Sequence, residues 1–154
     1  MEWLFHLGVV LLAAKLAAEA TQRLGVSKGV DMVLPDASIE EVIASVTQDP
    51  ASRAVFVVDQ ERRLLGIISA REILAVLGGQ YITERDFSPA RELLATRAAD
   101  LMGPPYWVSP EADLKEGLKI AVQDEVYDIP VVEGGRVIGN FDCLEIIVHC
   151  RSAR

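Results

Sequence analysis

The sequence predicts an α+β fold built from two copies of one β-α-β-β-α unit. Three observations carry this expectation. Ala54 to Leu77 and Asp128 to Val148 each read as a buried apolar run, a polar turn, a second apolar run closed by Gly, and a short helix. The polar turns, Asp59 to Arg63 and Glu133 to Arg136, split β-branched runs into hairpins. Finally, pairing Pro35 with Pro110, Val58 with Val132 and Gly66 with Gly139 gives offsets of 75, 74 and 73, the slow drift expected of a duplicated unit with small deletions in its loops.

The elements follow in order. A brief strand over Asp31 to Leu34 ends at Pro35-Asp36, and Ser38 caps the next helix. That helix, Ile39 to Thr47, sets Ile39, Val42, Ile43 and Val46 at i, i+3, i+4 and i+7, one apolar face. Strands over Ala54–Val58 and Leu64–Ser69 are almost continuously apolar, as in strands covered on both faces. The helix after them, Arg71 to Leu77, is expected to stop at Gly78-Gly79. A linker over 78–97 holds a helix starting at Ser88-Pro89.

The second copy, 98–150, opens at Ala98 to Met102 and turns at Gly103-Pro104-Pro105. It continues with a strand Tyr106 to Ser109, a helix Asp113 to Gln123, strands Tyr127 to Val132 and Val137 to Phe141, and a helix Leu144 to Cys150. The first copy occupies 30–77.

Composition narrows the function. The chain has 154 residues, 51% of them hydrophobic and 25% charged, enough apolar material for a real core. Its net charge of −8, with no run of Lys and Arg, argues against a nucleic-acid partner. Cys143 and Cys150 lie seven residues apart in one expected helix, about 10 Å along its axis, too far for a disulfide. With no other cysteine, a reducing, cytoplasmic setting fits.

No arrangement points to an enzyme: His6 and His149 stand without a nucleophile or a Gly-rich phosphate loop. Asp142, Glu145 and His149 share a helical face at i, i+3 and i+7, a metal-compatible spacing that reads first as a solvated face. The better site is the strand-to-helix turn of each copy. There a helix N-terminus presents free N–H groups and the positive end of its dipole.

At these residues the chain resembles the CBS domain family, and the duplication resembles a CBS pair, or Bateman module. The resemblance rests on V-L-P-D-A-S-I-E-E-V at Val33 to Val42, V-S-P-E-A-D-L-K-E-G at Val108 to Gly117, D-L-M at Asp100 to Met102, and the two Gly-closed turns, and it runs from Val30 to His149. It implies a pseudo-twofold pair of units, a homodimer, and regulation by an adenine nucleotide or other adenosyl compound (AMP, ADP, ATP or a relative) bound in the cleft between the copies. In CBS pairs a Gly-x-x-Ser/Thr-x-x-Asp turn sets a hydroxyl against phosphate or ribose and a carboxylate against the ribose diol.

Gly66 to Glu72 matches that turn with Glu for Asp. The resemblance implies Ser69 as a donor to a phosphate or ribose oxygen, Arg71 as a phosphate contact, Glu72 as the ribose acceptor, and Val33, Leu34, Val55 and Phe56 as the adenine slot. A plain reading of Ser69 is that it caps the helix. In the second copy the corresponding positions are Trp107, Ile129, Pro130, Asp142 and Glu145. Asp142 stands where the hydroxyl belongs, and a carboxylate there caps the helix but repels phosphate. This half-site is expected to be empty or to take an uncharged or cationic ligand. Trp107, in place of a small Thr, either stacks on a base or fills the slot.

The first 25 residues differ from the rest. Between Glu2 and Lys15 lie twelve residues without a full charge, fewer than the roughly 18 to 20 that cross a bilayer. An apolar helix is expected, with Lys15 and Glu19 paired at i, i+4. Its R-L-G-apolar end at Arg23 to Val26 resembles the first membrane helix of monovalent cation:proton antiporters, which implies membrane contact or a transporter partner with the pair held in the cytoplasm by Arg23 and Lys28. Packing on protein explains the same residues. A secretory signal, suggested by Ala18-Glu19-Ala20, is opposed by Glu2 and Lys15. Besides the sensor, two further roles fit: a ligand-free dimerising or docking module, and a membrane-associated accessory unit.

Overall fold

A computed structural model describes residues 30–49, 52–81, 95–144 and 147. The expected N-terminal helix, the helix after Ser88 and the tail with His149 and Cys150 lie outside these residues. Among the described residues no helix is long and apolar enough to cross a membrane. The chain divides into two compact units, one within Asp31 to Pro105 and one that includes the described residues from Tyr106 onward.

The first unit holds β1 (Met32–Val33), α1 (Ile39–Gln48), β2 (Ala54–Val58), β3 (Leu64–Ser69), α2 (Ala70–Tyr81) and a single turn of helix, α3 (Ala98–Leu101). Its sheet has the order β1-β2-β3, with β1 parallel and β3 antiparallel to β2. All five residues of β2 are buried. Alternation divides them: Val55 and Val57 pack with Val42, Ile68, Ile73, Val76, Ala98 and Leu101 in one core, while Ala54, Phe56 and Val58 are buried on the other face.

Local chemistry fixes the ends. Ser38 and Glu41 form a complete capping box on α1: Ser38 N–H donates to Glu41 Oε2 at 2.7 Å, and Glu41 N–H donates to Ser38 Oγ at 3.2 Å. In the β2–β3 turn, Asp59 Oδ1 accepts from the N–H groups of Glu61 and Arg63, both at 2.8 Å, and Arg62 takes a positive φ of 65°. Helix α2 continues through Gly78-Gly79 to Tyr81 and corrects the expected stop. Neither glycine adopts the left-handed conformation that ends a helix, so both are carried within the turn pattern at a propensity cost of about 1 kcal/mol each.

The segment at the start of the second sequence copy packs into this first unit. Ala98 N–H donates to Ala37 O and Ala99 N–H to Pro35 O, both at 2.9 Å, and Gly103 exchanges two backbone bonds with Ile67. Ala98 and Leu101 are 0% and 1% exposed. Asp100 accepts from Thr96 and Arg97 N–H groups, which, with the Thr96 bond foremost, hold its carboxyl below the usual carboxylate value.

The second unit holds α4 (Leu114–Gln123), β4 (Asp128–Glu133) and β5 (Arg136–Asp142). Asp113 caps α4 by accepting from Glu116 N–H at 2.8 Å. β4 and β5 form an antiparallel hairpin whose turn, Gly134-Gly135, takes φ values of 58° and 80°, the left-handed pair that a tight hairpin requires. The expected strand over Tyr106 to Ser109 is reduced to one parallel bridge, Val108 to Val131. Val108, Ala112, Ile129, Phe141 and Cys143 form the core.

Gly66 leaves no room for a side chain. A Cβ there would sit 2.6 Å from Met102 Sδ and 2.8 Å from Gly103 O, and the backbone carbonyl cannot step aside. Gly66→Ala is therefore expected to destabilise the protein by about 2 kcal/mol, read as a lowered urea midpoint with an unchanged slope.

Candidate functional site

Each strand-to-helix turn emerges on the sheet face opposite its own helices. In the first unit Ser69 pairs with Ala54 and lies on the same face as Phe56 and Ile67, while Val55 and Val57 point into the helix-side core. In the second, Asp142 pairs directly with Asp128 and Asn140 with Pro130, while Ile129 and Phe141 face α4. The period of two thus separates the expected adenine-slot residues: Phe56 and Pro130 share a face with the turns, and Val55 and Ile129 lie behind the sheet as core. Val33 is half-buried against that same core. Leu34 and Trp107, at 41% and 51% exposure, open to solvent. Glu145 lies outside the described residues.

The first turn is bound to itself. Glu72 Oε2 accepts from Ser69 N–H at 2.8 Å and also from the Ser69 hydroxyl. The Ser38–Glu41 box offers a comparison, since there the serine oxygen accepts from the helix N–H. At Ser69 the hydroxyl instead donates its proton to the carboxylate. The helix N-terminus consequently holds a half-buried carboxylate of its own, which satisfies one free N–H and complements the dipole. Arg71, next in the turn, is exposed.

The second turn carries more negative charge. Asp142 Oδ1 accepts from Leu144 N–H at 2.7 Å, as expected of a capping residue. Its cross-strand partner Asp128 is 3% exposed, and Asn140 Nδ2 donates to Asp128 Oδ1 at 3.2 Å. Asn140 Oδ1 is buried with no hydrogen-bond partner. Directly opposed like charges disfavour each other, so the Asn140 amide is one group that lets Asp128 stay here.

Cys143 follows at once, buried, its N–H donating to Tyr127 O at 2.8 Å. Burial, reinforced by the fields of Asp142 and then Asp128, pushes its thiol up to about 11. Asp128 and Asn140 were not visible as site residues from sequence. The signal was present in the polar alternation of Asn140-x-Asp142 opposite Asp128, but reading it requires the strand register. Among the described residues no group of three or more His, Cys, Asp and Glu stands where it could hold a metal ion.

Comparison with known proteins places this geometry. The family model described as CBS domain matches residues 24–79 and 98–148. A CBS domain-containing protein from Thermotoga maritima, known from its crystal structure, is 28% identical, with a TM-score of 0.72, covering 84% of this chain and 90% of its own. CBSX2, crystallised in complex with AMP, is 19% identical, with a TM-score of 0.65, over 81% of this chain and 90% of its own. The CBS domain pair of the protein MJ0100, crystallised with 5′-methylthioadenosine and S-adenosyl-L-methionine, is 16% identical, with a TM-score of 0.65, over 83% of this chain and 93% of its own. A comparison with curated proteins returns no match.

The chemistry of Cys143 generates a direct test. A thiol raised to about 11 and buried is protonated at pH 8 and resists alkylation. In the native protein iodoacetamide is expected to leave the Cys143 peptide unmodified, and in urea to label it fully, as read by peptide mass spectrometry. The raised value also has a sign for stability: the contribution of this protonated thiol is complete below the ordinary thiol value of 9.0 and is lost as pH rises towards about 11.

Proposed function

This chain belongs to the CBS domain family, and from that premise we propose that it is a regulatory module which senses an adenosyl compound. The observation that carries the reading is the first turn: a Gly66-x-x-Ser69-x-x-Glu72 sequence in which serine and glutamate meet at a helix N-terminus, half-buried, on the sheet face turned away from the helices. Ribose hydroxyls are both donors and acceptors, and a carboxylate already accepting two protons offers a second oxygen to a diol. Leu34, exposed in the same unit, supplies apolar surface for a base. AMP in CBSX2, and 5′-methylthioadenosine and S-adenosyl-L-methionine in MJ0100, support the adenosyl class.

Sensing requires more than binding. A ligand shifts an equilibrium only by its difference in affinity for two arrangements, so the bound compound must favour one arrangement of the module, or of the protein it regulates, over another. A homodimer is the assembly we propose, because closed twofold pairing is the commonest symmetric state and matches what the family resemblance implies.

Thermal unfolding of the full chain tests the reading. With AMP, ATP, 5′-methylthioadenosine and S-adenosyl-L-methionine each in about hundredfold excess over its dissociation constant, a compound that binds only the folded state stabilises it by about 2.7 kcal/mol, a rise of several degrees. The rise is expected with at least one of the four and is expected to vanish in a Ser69→Ala, Glu72→Ala double variant. No rise with any of them supports a ligand-free docking module instead.

A further inference from the structure

From the outward faces of the two equivalent helices, α1 and α4, we propose that the homodimer pairs unlike helices: α1 of one copy packs against α4 of a second copy, with Glu40 meeting Lys115 and Lys119. The inference rests on the proposed homodimer and assigns its interface.

The duplication aligns the two helices residue by residue. α1 runs Ile39–Gln48 and α4 Leu114–Gln123, ten residues each, at the offset of 75 that also pairs Pro35 with Pro110. Each starts at a capped turn, Ser38 and Asp113. The inward faces agree, with Val42 and Gly117 buried at matching positions. The outward faces differ. Glu40 corresponds to Lys115, Ala44 to Lys119 and Thr47 to Val122, and all six are exposed. Beside them half-buried Ile43 corresponds to Leu118, which is exposed.

Each face complements the other and not itself. On α4, Leu118 and Val122 stand one turn apart, Val122 with 77% of its surface open, and Lys115 and Lys119 flank them at the same spacing. Two lysines at i, i+4 repel, and among the described residues neither lysine nor Glu40 is engaged in an ion pair. On α1 the matching strip is made of small groups. Thr47 donates its hydroxyl back to the carbonyls of Ile43 and Ala44, at 2.9 and 3.1 Å, so it offers a methyl beside that of Ala44. Leu118 and Val122 fill the groove that these small residues leave, and Glu40 answers the lysines. Pairing α4 with a second α4 sets lysine against lysine, and pairing α1 with a second α1 sets Glu40 against its own copy. Glu41 and Glu116 are acidic at matching positions of both helices, so they favour neither arrangement. In a twofold dimer a contact of α1 with α4 occurs twice, since each copy gives one helix and receives the other.

Sedimentation equilibrium of the full chain tests the pairing. The variants are Glu40→Lys and the double Lys115→Glu, Lys119→Glu, exposed substitutions whose folding is checked by circular dichroism. The wild type is expected to be a dimer. Each variant alone is expected to dimerise at least about tenfold more weakly, because both contacts then oppose like charges. An equimolar mixture of the two variants is expected to return to within about threefold of the wild-type affinity, since one contact in the mixed dimer is native and the other is reversed on both sides. Dimer affinity unchanged in both variants, no recovery in the mixture, or recovery of Glu40→Lys by wild type instead of by the lysine variant overturns the α1–α4 pairing and leaves a homodimer standing. A monomeric wild type overturns the homodimer and its interface together. Adenosyl sensing is read separately, by the ligand-dependent rise in unfolding temperature.

Discussion

A strand buried on both faces needs apolar cover twice over and a hydrogen-bond partner on each edge, and β2 imposes that requirement on the whole first unit. β1 and β3 complete its ladder. On one face Val55 and Val57 are covered by α1, α2 and the short α3, with Ala98 and Leu101 inserted as part of the core. The other face carries Phe56, Ile67 and, at its rim, Ser69. The proposed site stands where it does because the sheet's alternation leaves the turn residues on the side that the helices do not use.

The turns themselves show how capping and ligand chemistry draw on the same groups. Free N–H groups at a helix start must find acceptors, and this chain supplies a carboxylate each time: Glu41 in α1, Glu72 in α2, and Asp142 at the last helical residues. At Ser38 the result is a local stabilising device. At Ser69 and Asp142 the same device sits on the sheet face away from the helix-side core, and the cap sets the charge that this face presents. Stability of the turn and the charge it presents have one physical origin.

Much of the fold was legible because its signals are local. Val42 and its neighbours at helical spacing, the β-branched runs on either side of Asp59 to Arg63, and the Gly134-Gly135 pair each specify an element within a few residues. The glycines at 78 and 79 misled, since a glycine ends a helix only where the chain takes up its left-handed conformation, and here it does not. Val55 and Ile129 illustrate the other gap. Their apolar character was plain, yet whether they face a ligand or the core depends on the parity of the strand register, which neighbouring elements set.

The sequence by itself determined the duplication, the family, the order and kind of most of the described elements, and the presence of a hydroxyl and carboxylate in the first turn against a lone carboxylate in the second. Periodicity, turn chemistry and repeats act over short spans, so they survive in a string of residues. Only the tertiary structure decided that Ala98 to Leu101 completes the core of the first unit, that Ser69 and Glu72 are bonded to one another, and that Asp128 opposes Asp142 beside an unsatisfied Asn140 oxygen. These depend on which residues meet across strands and between distant segments, and that is fixed by the packing of the whole unit.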